Sequence, residues 1–307
     1  MDLSHVLIWN VRGLNSVARR DADRVIVNSY KIDVVCLQET KITAISWQII
    51  LSMLGSEFDN NYIFLSSVGV SGGILIAWRS CLGPVSASRV DTFSTSVQFN
   101  SGNRGSWWLT CVYGPQDNQA KIQFLQELRD VRSQCTSPCM VAGDFNLIYR
   151  DEDKNNSNVN RAMMGRFKRW IDDMAVNELP LHGRKFTWSS SSDSASPTLV
   201  DWTECFALLT GRKCFLIASF RAQLLMILTT ACLSSVYVID CHAKDASILK
   251  HSGPALMDSR KPSKRRGLLL KPVSVLWKLY LCNIKQLQSV CKAGVKRELA
   301  ISDPNYC

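Results

Sequence analysis

Several things are scarce in this sequence, and each shortage closes a class of protein. Only 16 of its 307 residues are Gly and 9 are Pro, and no internal repeat or low-complexity tract is visible. Collagen-like and disordered readings therefore fall away, and the chain is too long for a mini-protein. The amino terminus, Met1-Asp-Leu-Ser-His, lacks the basic region and long apolar stretch of a signal peptide. An intracellular, reducing setting is expected, with the 12 cysteines read as thiols. Cys135-Thr-Ser-Pro-Cys139 has no second Cys/His pair at useful spacing and is not read as a zinc site. The uncharged run 222–238, flanked by Arg221 and Asp240, spans 17 residues, the short limit for a membrane helix, and no membrane partner is expected.

Positive charge is abundant, with 36 Lys and Arg against 26 Asp and Glu, a formal net of +10. Such an excess ordinarily points to a polyanion, nucleic acid above all. Its location weakens that inference. Residues 1–200 carry 20 basic and 19 acidic side chains, whereas residues 201–307 carry 16 and 7, so the first part is nearly neutral and the second holds +9. Seven of the cysteines also lie after residue 200. The chain changes character there.

Before that point, apolar runs alternate with helical periodicity. Residues 6–9, 34–39, 72–78, 97–100, 107–113, 140–143 and 185–188 read as strands. Residues 18–30, 118–132 and 161–175 read as helices, the second carrying Ile122, Leu125, Leu128 and Val131 on one face. Strands with intervening helices predict a layered α/β domain.

The polar side chains that could do chemistry stand where the apolar runs stop. Four such segments are Trp9-Asn10-Val11-Arg12-Gly13, Gln38-Glu39-Thr40-Lys41, Val112-Tyr113-Gly114-Pro115 and Gly143-Asp144-Phe145-Asn146. Strand ends let distant parts of a chain pool groups in one cleft. Singly, each has a plainer reading. Asp144 and Asn146 suit a turn, Glu39 a solvated strand end, and Tyr113 core packing with a satisfied hydroxyl.

Together and in this order, the segments resemble the endonuclease/exonuclease/phosphatase superfamily, and within it the endonuclease domain of plant LINE-type (non-LTR) retrotransposons. Further landmarks are Gly72-Gly-Ile-Leu-Ile-Ala-Trp78, Asp151-Glu-Asp-Lys-Asn155, Met164-Gly-Arg-Phe167 and Leu181-His-Gly-Arg-Lys-Phe-Thr-Trp188, and the likeness covers residues 3–200. The resemblance implies a four-layer α/β sandwich of two packed mixed sheets with flanking helices, and metal-assisted hydrolysis of a phosphodiester. It makes Asn10 and Glu39 the holders of Mg²⁺ or Mn²⁺. Asp144 becomes the residue that orients or deprotonates water, while Asn146 and Tyr113 donate to the phosphate. Arg12, Lys41 and Thr187 become substrate contacts, although a solvated face explains the two basic residues equally well. DNA is the implied partner, the chain is expected to be a monomer, and the implied compartment is the nucleus. A phosphatase acting on small phosphorylated lipids or nucleotides shares the superfamily fold, and the LINE-like landmarks argue against it.

Two family elements are absent: a Leu-Asp-Arg segment after the Phe-Thr-Trp strand, and a terminal Ser-Asp-His. Asp201-Trp-Thr-Glu-Cys-Phe206 follows Val200 instead, and neither His242 nor His251 is preceded by Ser-Asp. Both elements reappear in another frame. A permitted choice of codons for residues 200–215, read from the third base of the Val200 codon, gives Gly-Leu-Asp-Arg-Val-Leu-Cys-Ser. The same offset gives Ser-Asp-His from codons 227–230 and Arg-Phe-His-Phe-Glu-Ala-Phe-Trp from codons 245–253. The expectation is an incomplete domain over residues 1–200, its last strands missing or degraded and one sheet edge unpaired. A basic, Cys-rich, frameshifted tail without a native fold would occupy residues 201–307. Activity is then expected to be crippled, and the alternative is a non-catalytic remnant with at most weak nucleic-acid binding. A rival reading of Arg260-Lys-Pro-Ser-Lys-Arg-Arg266 is a selected nucleic-acid arm or nuclear targeting signal.

Overall fold

Strands that are apolar on every residue form where both faces of a sheet are covered, and this chain has several. In the computed structural model, which describes residues 4–69, 71–100, 105–179, 181–182, 186, 188–190, 198–208, 215–223 and 236–244, the first are β1 (Ser4–Asn10) and β2 (Val34–Gln38). Then come β3 (Tyr62–Leu65), β4 (Ile74–Trp78), β5 (Ala87–Val90), β6 (Ser94–Asn100), β7 (Ser106–Tyr113) and β8 (Cys139–Asp144). The remaining strands are β9 (Asn177–Glu178), β10 (Leu181–His182), β11 (Trp188–Ser189), β12 (Leu199–Val200), β13 (Thr203–Leu208), β14 (Phe215–Gln223) and β15 (Val236–Lys244).

Four helices accompany them: α1 (Val17–Ser29), α2 (Trp47–Met53), α3 (Asn118–Gln134) and α4 (Arg161–Met174). Three of these start at side-chain caps. Backbone N–H groups of Arg19, Ala120 and Met163 donate to Ser16, Asp117 and Asn160 respectively, satisfying donors that a helix start leaves free. The periodicity predicts α1, α3 and α4 to within two residues at each end. It does not reveal α2, whose seven residues are too short for a helical period to stand out.

The strands form two mixed sheets. One has the order β10-β14-β15-β1-β2-β4-β3, the other β5-β6-β7-β8-β13-β9, and β11 pairs with β12 alone. Pairing is parallel for β1 with β2, β7 with β8 and β10 with β14, and antiparallel elsewhere.

Alternation along each strand sorts the core into three layers. Val6 and Ile8 of β1, Val34 and Cys36 of β2, and Ile74 and Ile76 of β4 meet Leu109, Cys111, Met140 and Ala142 between the sheets. The intervening Leu7, Trp9, Val35, Leu37, Leu75 and Ala77 face Ile26 and Val27 of α1 and Ile50 and Met53 of α2. On the opposite side, Val112 and Val141 pack on Phe124, Leu125 and Leu128 of α3 and on Met163, Phe167 and Trp170 of α4. The result is helices, sheet, sheet, helices, the sandwich that the resemblance implies.

The expected unpaired edge is corrected by the backbone. β13 pairs with β8 and β9, and β15 pairs with β1 on one side and β14 on the other. Residues 203–244 are rich enough in β-branched and aromatic residues to supply these strands, and a bare β1 edge would leave a row of buried backbone groups without partners. The core also continues past residue 200, since Cys205 joins the layer between the sheets and Phe206, fully buried, joins the α3/α4 layer. Among the described residues no helix is long and apolar enough to cross a membrane. The run 222–238 lies mostly outside them.

Candidate active site

Register decides which side chains meet. In the parallel pair β1/β2, Asn10 stands opposite Gln38, so Glu39 follows at the same level. In the parallel pair β7/β8, Tyr113 stands opposite Asp144. Two strand pairs, one from each sheet, thus end side by side, and a hydrogen bond joins them. Asn10 Nδ2 donates to Asp144 Oδ2 at 2.9 Å.

That bond is one of a connected set. The other carboxylate oxygen of Asp144 accepts from the Asn146 backbone N–H at 3.0 Å, so both of its oxygens are held. Asn146 Nδ2 donates to the Gly114 carbonyl at 2.6 Å, and Gln116 Nε2 donates to Asn146 Oδ1 at 2.7 Å. Asn10 Oδ1 accepts only a longer bond from the Arg12 N–H, at 3.2 Å. Glu39 Oε1 lies 2.9 Å from Lys41 Nζ, and the Glu39 carboxylate is close enough for Tyr113 to feel its charge.

Backbone geometry that is costly elsewhere concentrates at these strand ends. Seven non-glycine residues among those described have φ in the left-handed region, and four of them are Arg12, Glu39, Lys41 and Asn146, with φ between 51° and 56°. Each such residue costs on the order of 1–3 kcal/mol and persists only where its surroundings hold it. Close backbone approach does so here. A Cβ on Gly114 would lie 2.0 Å from the Phe145 carbonyl oxygen, and one on Gly143 would lie 2.2 Å from that of Val112. Only glycine lets β7, β8 and their following turns close so tightly.

The electrostatics suit proton transfer. Asp144 is only 6% exposed, and burial pushes its carboxyl up to about 6. The Asn10 and Asn146 hydrogen bonds and the Arg12 charge oppose this rise, and the Glu39 charge adds to it. A carboxylate in that range can take a proton near neutral pH. Tyr113 is raised above its ordinary value by burial, then by the charges of Glu39 and Asp144, so its hydroxyl stays a donor. The donors around Glu39 and Asn10 are oxygens, which suits a hard cation that keeps several waters. Among the described residues no group of three or more His, Cys, Asp and Glu side chains is gathered tightly enough to bind an ion unaided.

The structure therefore brings together Asn10, Glu39, Tyr113, Asp144 and Asn146, with Arg12 and Lys41 beside them. Thr187 lies outside the described residues. Sequence reasoning misses Gln116 and Lys121. Gln116, three residues past Tyr113 in the same turn, could have been flagged by that spacing. Lys121, in the first turns of α3, is half-buried; burial lowers it below its ordinary value, and the charges of Asp117 and then Asp144 oppose this. No local signal marks it.

Residues 7–203 match the Endonuclease/Exonuclease/phosphatase family. Among solved structures, the 3′ phosphatase NExo from Neisseria bound to a product DNA hairpin is similar with a TM-score of 0.59 and 13% identity, covering 78% of this chain and 99% of that one. An AP endonuclease from Archaeoglobus fulgidus matches with a TM-score of 0.57 and 14% identity, over 77% and 98% of the two chains. The endonuclease domain of TRAS1, a telomere-specific non-LTR retrotransposon, matches with a TM-score of 0.56 and 13% identity, over 78% and 98%. At such identities these likenesses establish the fold alone. No curated protein matches the sequence.

Proposed function

Because the chain belongs to the endonuclease/exonuclease/phosphatase family, we propose that it is a phosphodiesterase of the plant LINE-type endonuclease branch, acting on DNA with a divalent metal. The observation that carries this reading is the Asn10–Asp144 hydrogen bond, which ties the ends of two sheets into one cluster around a carboxyl poised near pH 6. Glu39, with Asn10 beside it, would hold Mg²⁺ or Mn²⁺, an ion that would supply polarisation of a phosphoryl oxygen. Asp144 orients the attacking water and takes its proton. Asn146 and Tyr113 donate to the phosphate as charge builds on it. Arg12, Lys41 and Thr187 contact the flanking strand.

The reading extends to the missing elements. The visible frame lacks Leu-Asp-Arg and Ser-Asp-His, and the +1/+9 charge division and the end of the family match at residue 203 support a change of frame near residue 200. On this view the nuclease frame ends near residue 200 and residues 201–307 are translated out of frame, although residues 203–244 supply β13, β14 and β15 in place of the family's own last strands. The resemblance gives the histidine of Ser-Asp-His a contact to the scissile phosphate, and losing such a donor costs several kcal/mol of transition-state stabilisation in comparable sites, roughly 10²–10³ in rate. A nuclear location and a monomeric state complete the proposal.

Supercoiled-plasmid nicking with Mg²⁺ tests it, comparing the chain with Glu39→Ala and with a frame-restored version. Robust nicking by the restored chain, near-background nicking by the unrestored chain and none by Glu39→Ala are expected. A restored chain that fails to nick would sink the nuclease reading. Full activity without restoration would instead refute the claim that the missing segments are needed.

A further inference from the structure

Helix α4 carries its charges in an order that does not serve the helix. Four basic residues, Arg161, Arg166, Lys168 and Arg169, fall within its first nine positions, and all four are exposed. Its first turn has no acidic residue and its last turn no basic one, and Asp172 and Asp173 stand near its end. The helix dipole favours the reverse arrangement at both termini, so helix stability does not explain this pattern.

Neighbouring carboxylates do not explain it either. Arg161 pairs with Asp151 at 3.4 Å, with both side chains more than half exposed, and Asp173 pairs with Arg129 at 3.6 Å. Among the described residues no carboxylate lies within ion-pair distance of Arg166, Lys168 or Arg169. With Asp172 and Asp173 counted, α4 has four basic and two acidic residues, a net +2 against +1 for all of residues 1–200, so its three cations outside ion-pair distance are a local concentration.

Their placement gives the concentration a use. Met163, Phe167 and Trp170 set the buried face of α4. By helical spacing, Arg161, Lys168 and Arg169 lie on the opposite side, together with Asp172, and Arg166 lies on the flank. The start of α4 is tied to the start of α3, where Asn160 Nδ2 donates to Asn118 Oδ1 at 3.4 Å. Asn118 stands two residues past Gln116, which bonds Asn146 in the site. From that junction the basic residues run away along the helix for ~12 Å, a length over which duplex DNA presents about seven phosphate charges.

We infer that the outer face of α4 is a second phosphate-contact surface, which engages duplex DNA away from the cleavage position and leads it toward the site. The inference rests on the proposed DNA-directed function. Its contacts are to backbone charge and carry no sequence information.

Fluorescence anisotropy with a plain duplex, using the full chain between roughly 50 and 200 mM salt, tests the surface. Replacing Arg166, Lys168 and Arg169 together by Gln should flatten the slope of log affinity against log salt by about 2 to 3, close to 0.9 for each lost phosphate contact. The affinity lost across that salt range should then shrink by about forty-fold relative to the parent. The charge-conserving pair Arg166→Lys and Arg169→Lys should keep the parent slope, which separates lost charge from disturbed folding. A triple variant with the parent's slope overturns the surface and leaves the site reading standing. A parent chain without salt-dependent duplex binding overturns both.

Discussion

Asp144 is asked to be buried and to be charged, and those demands conflict. Its carboxyl is raised from an ordinary 3.8 to about 6. Between those values the folded chain keeps a proton that the unfolded chain has released. Stability is therefore whole below pH ~4 and is lost as pH rises through ~6, by about 3 kcal/mol once the full gap is converted. In chelator-containing buffer, Asp144→Asn should abolish this dependence. Its urea midpoint, lowered throughout by the acceptor that the amide removes, should stay level between pH 4 and pH 8 where the parent's declines. Nicking by the frame-restored chain should fall at least 10²-fold in the same variant. A variant whose midpoint tracks the parent's from pH 4 to 8 would show that burial of this carboxyl carries no such cost. At this scale the sequence is most readable. Asn10, Glu39, Tyr113, Asp144 and Asn146 each stand where an apolar run ends, because a strand buried on both faces leaves polar groups only its ends. The left-handed backbone of Arg12, Glu39 and Lys41 is not readable, since nothing in the preferences of those residue types hints at it.

Elements hold these residues through close approach, and glycine substitutions expose the difference between a contact and a propensity. Gly114→Ala sets a methyl group 2.0 Å from a backbone oxygen that cannot step aside. A loss of about 3 kcal/mol or more in urea unfolding is expected, together with displacement of Asn146. Gly165→Ala in α4 meets nothing within 4 Å and should stabilise the chain by about 0.5–1 kcal/mol. Equal effects at the two positions would contradict the approach that the structure assigns to β7 and β8. The longer helices and central strands could be read from periodicity because their buried faces repeat over several turns or pleats. β3, β5 and β9 are short or half-exposed, and their pairing comes from neighbours distant in the chain, which a local pattern does not carry.

At the scale of the whole molecule, the charge division near residue 200 and the packing do not share a boundary. Phe206 is fully buried against Phe145, Tyr149, Phe167 and Trp170, with ring centroids 5.4 to 6.3 Å apart. Phe206→Ala should cost about 3–5 kcal/mol in equilibrium unfolding. A negligible change would mean that residues 203–208 contribute no packing and that the domain ends where its charge balance ends. The sequence could not show this, because a strand of six residues needs only the right alternation to find a place beside β8.

Each sheet has its own helices and its own apolar layer against them, yet neither sheet holds a complete site. Asn10 and Glu39 come from one, Tyr113, Asp144 and Asn146 from the other, and the bond from Asn10 to Asp144 crosses the gap between them. Chemistry is thus the last property such a chain acquires as it folds and the first it loses. A substitution that merely lets the two halves slide would leave every helix and strand in place, and the protein would be intact by spectroscopy and silent by assay.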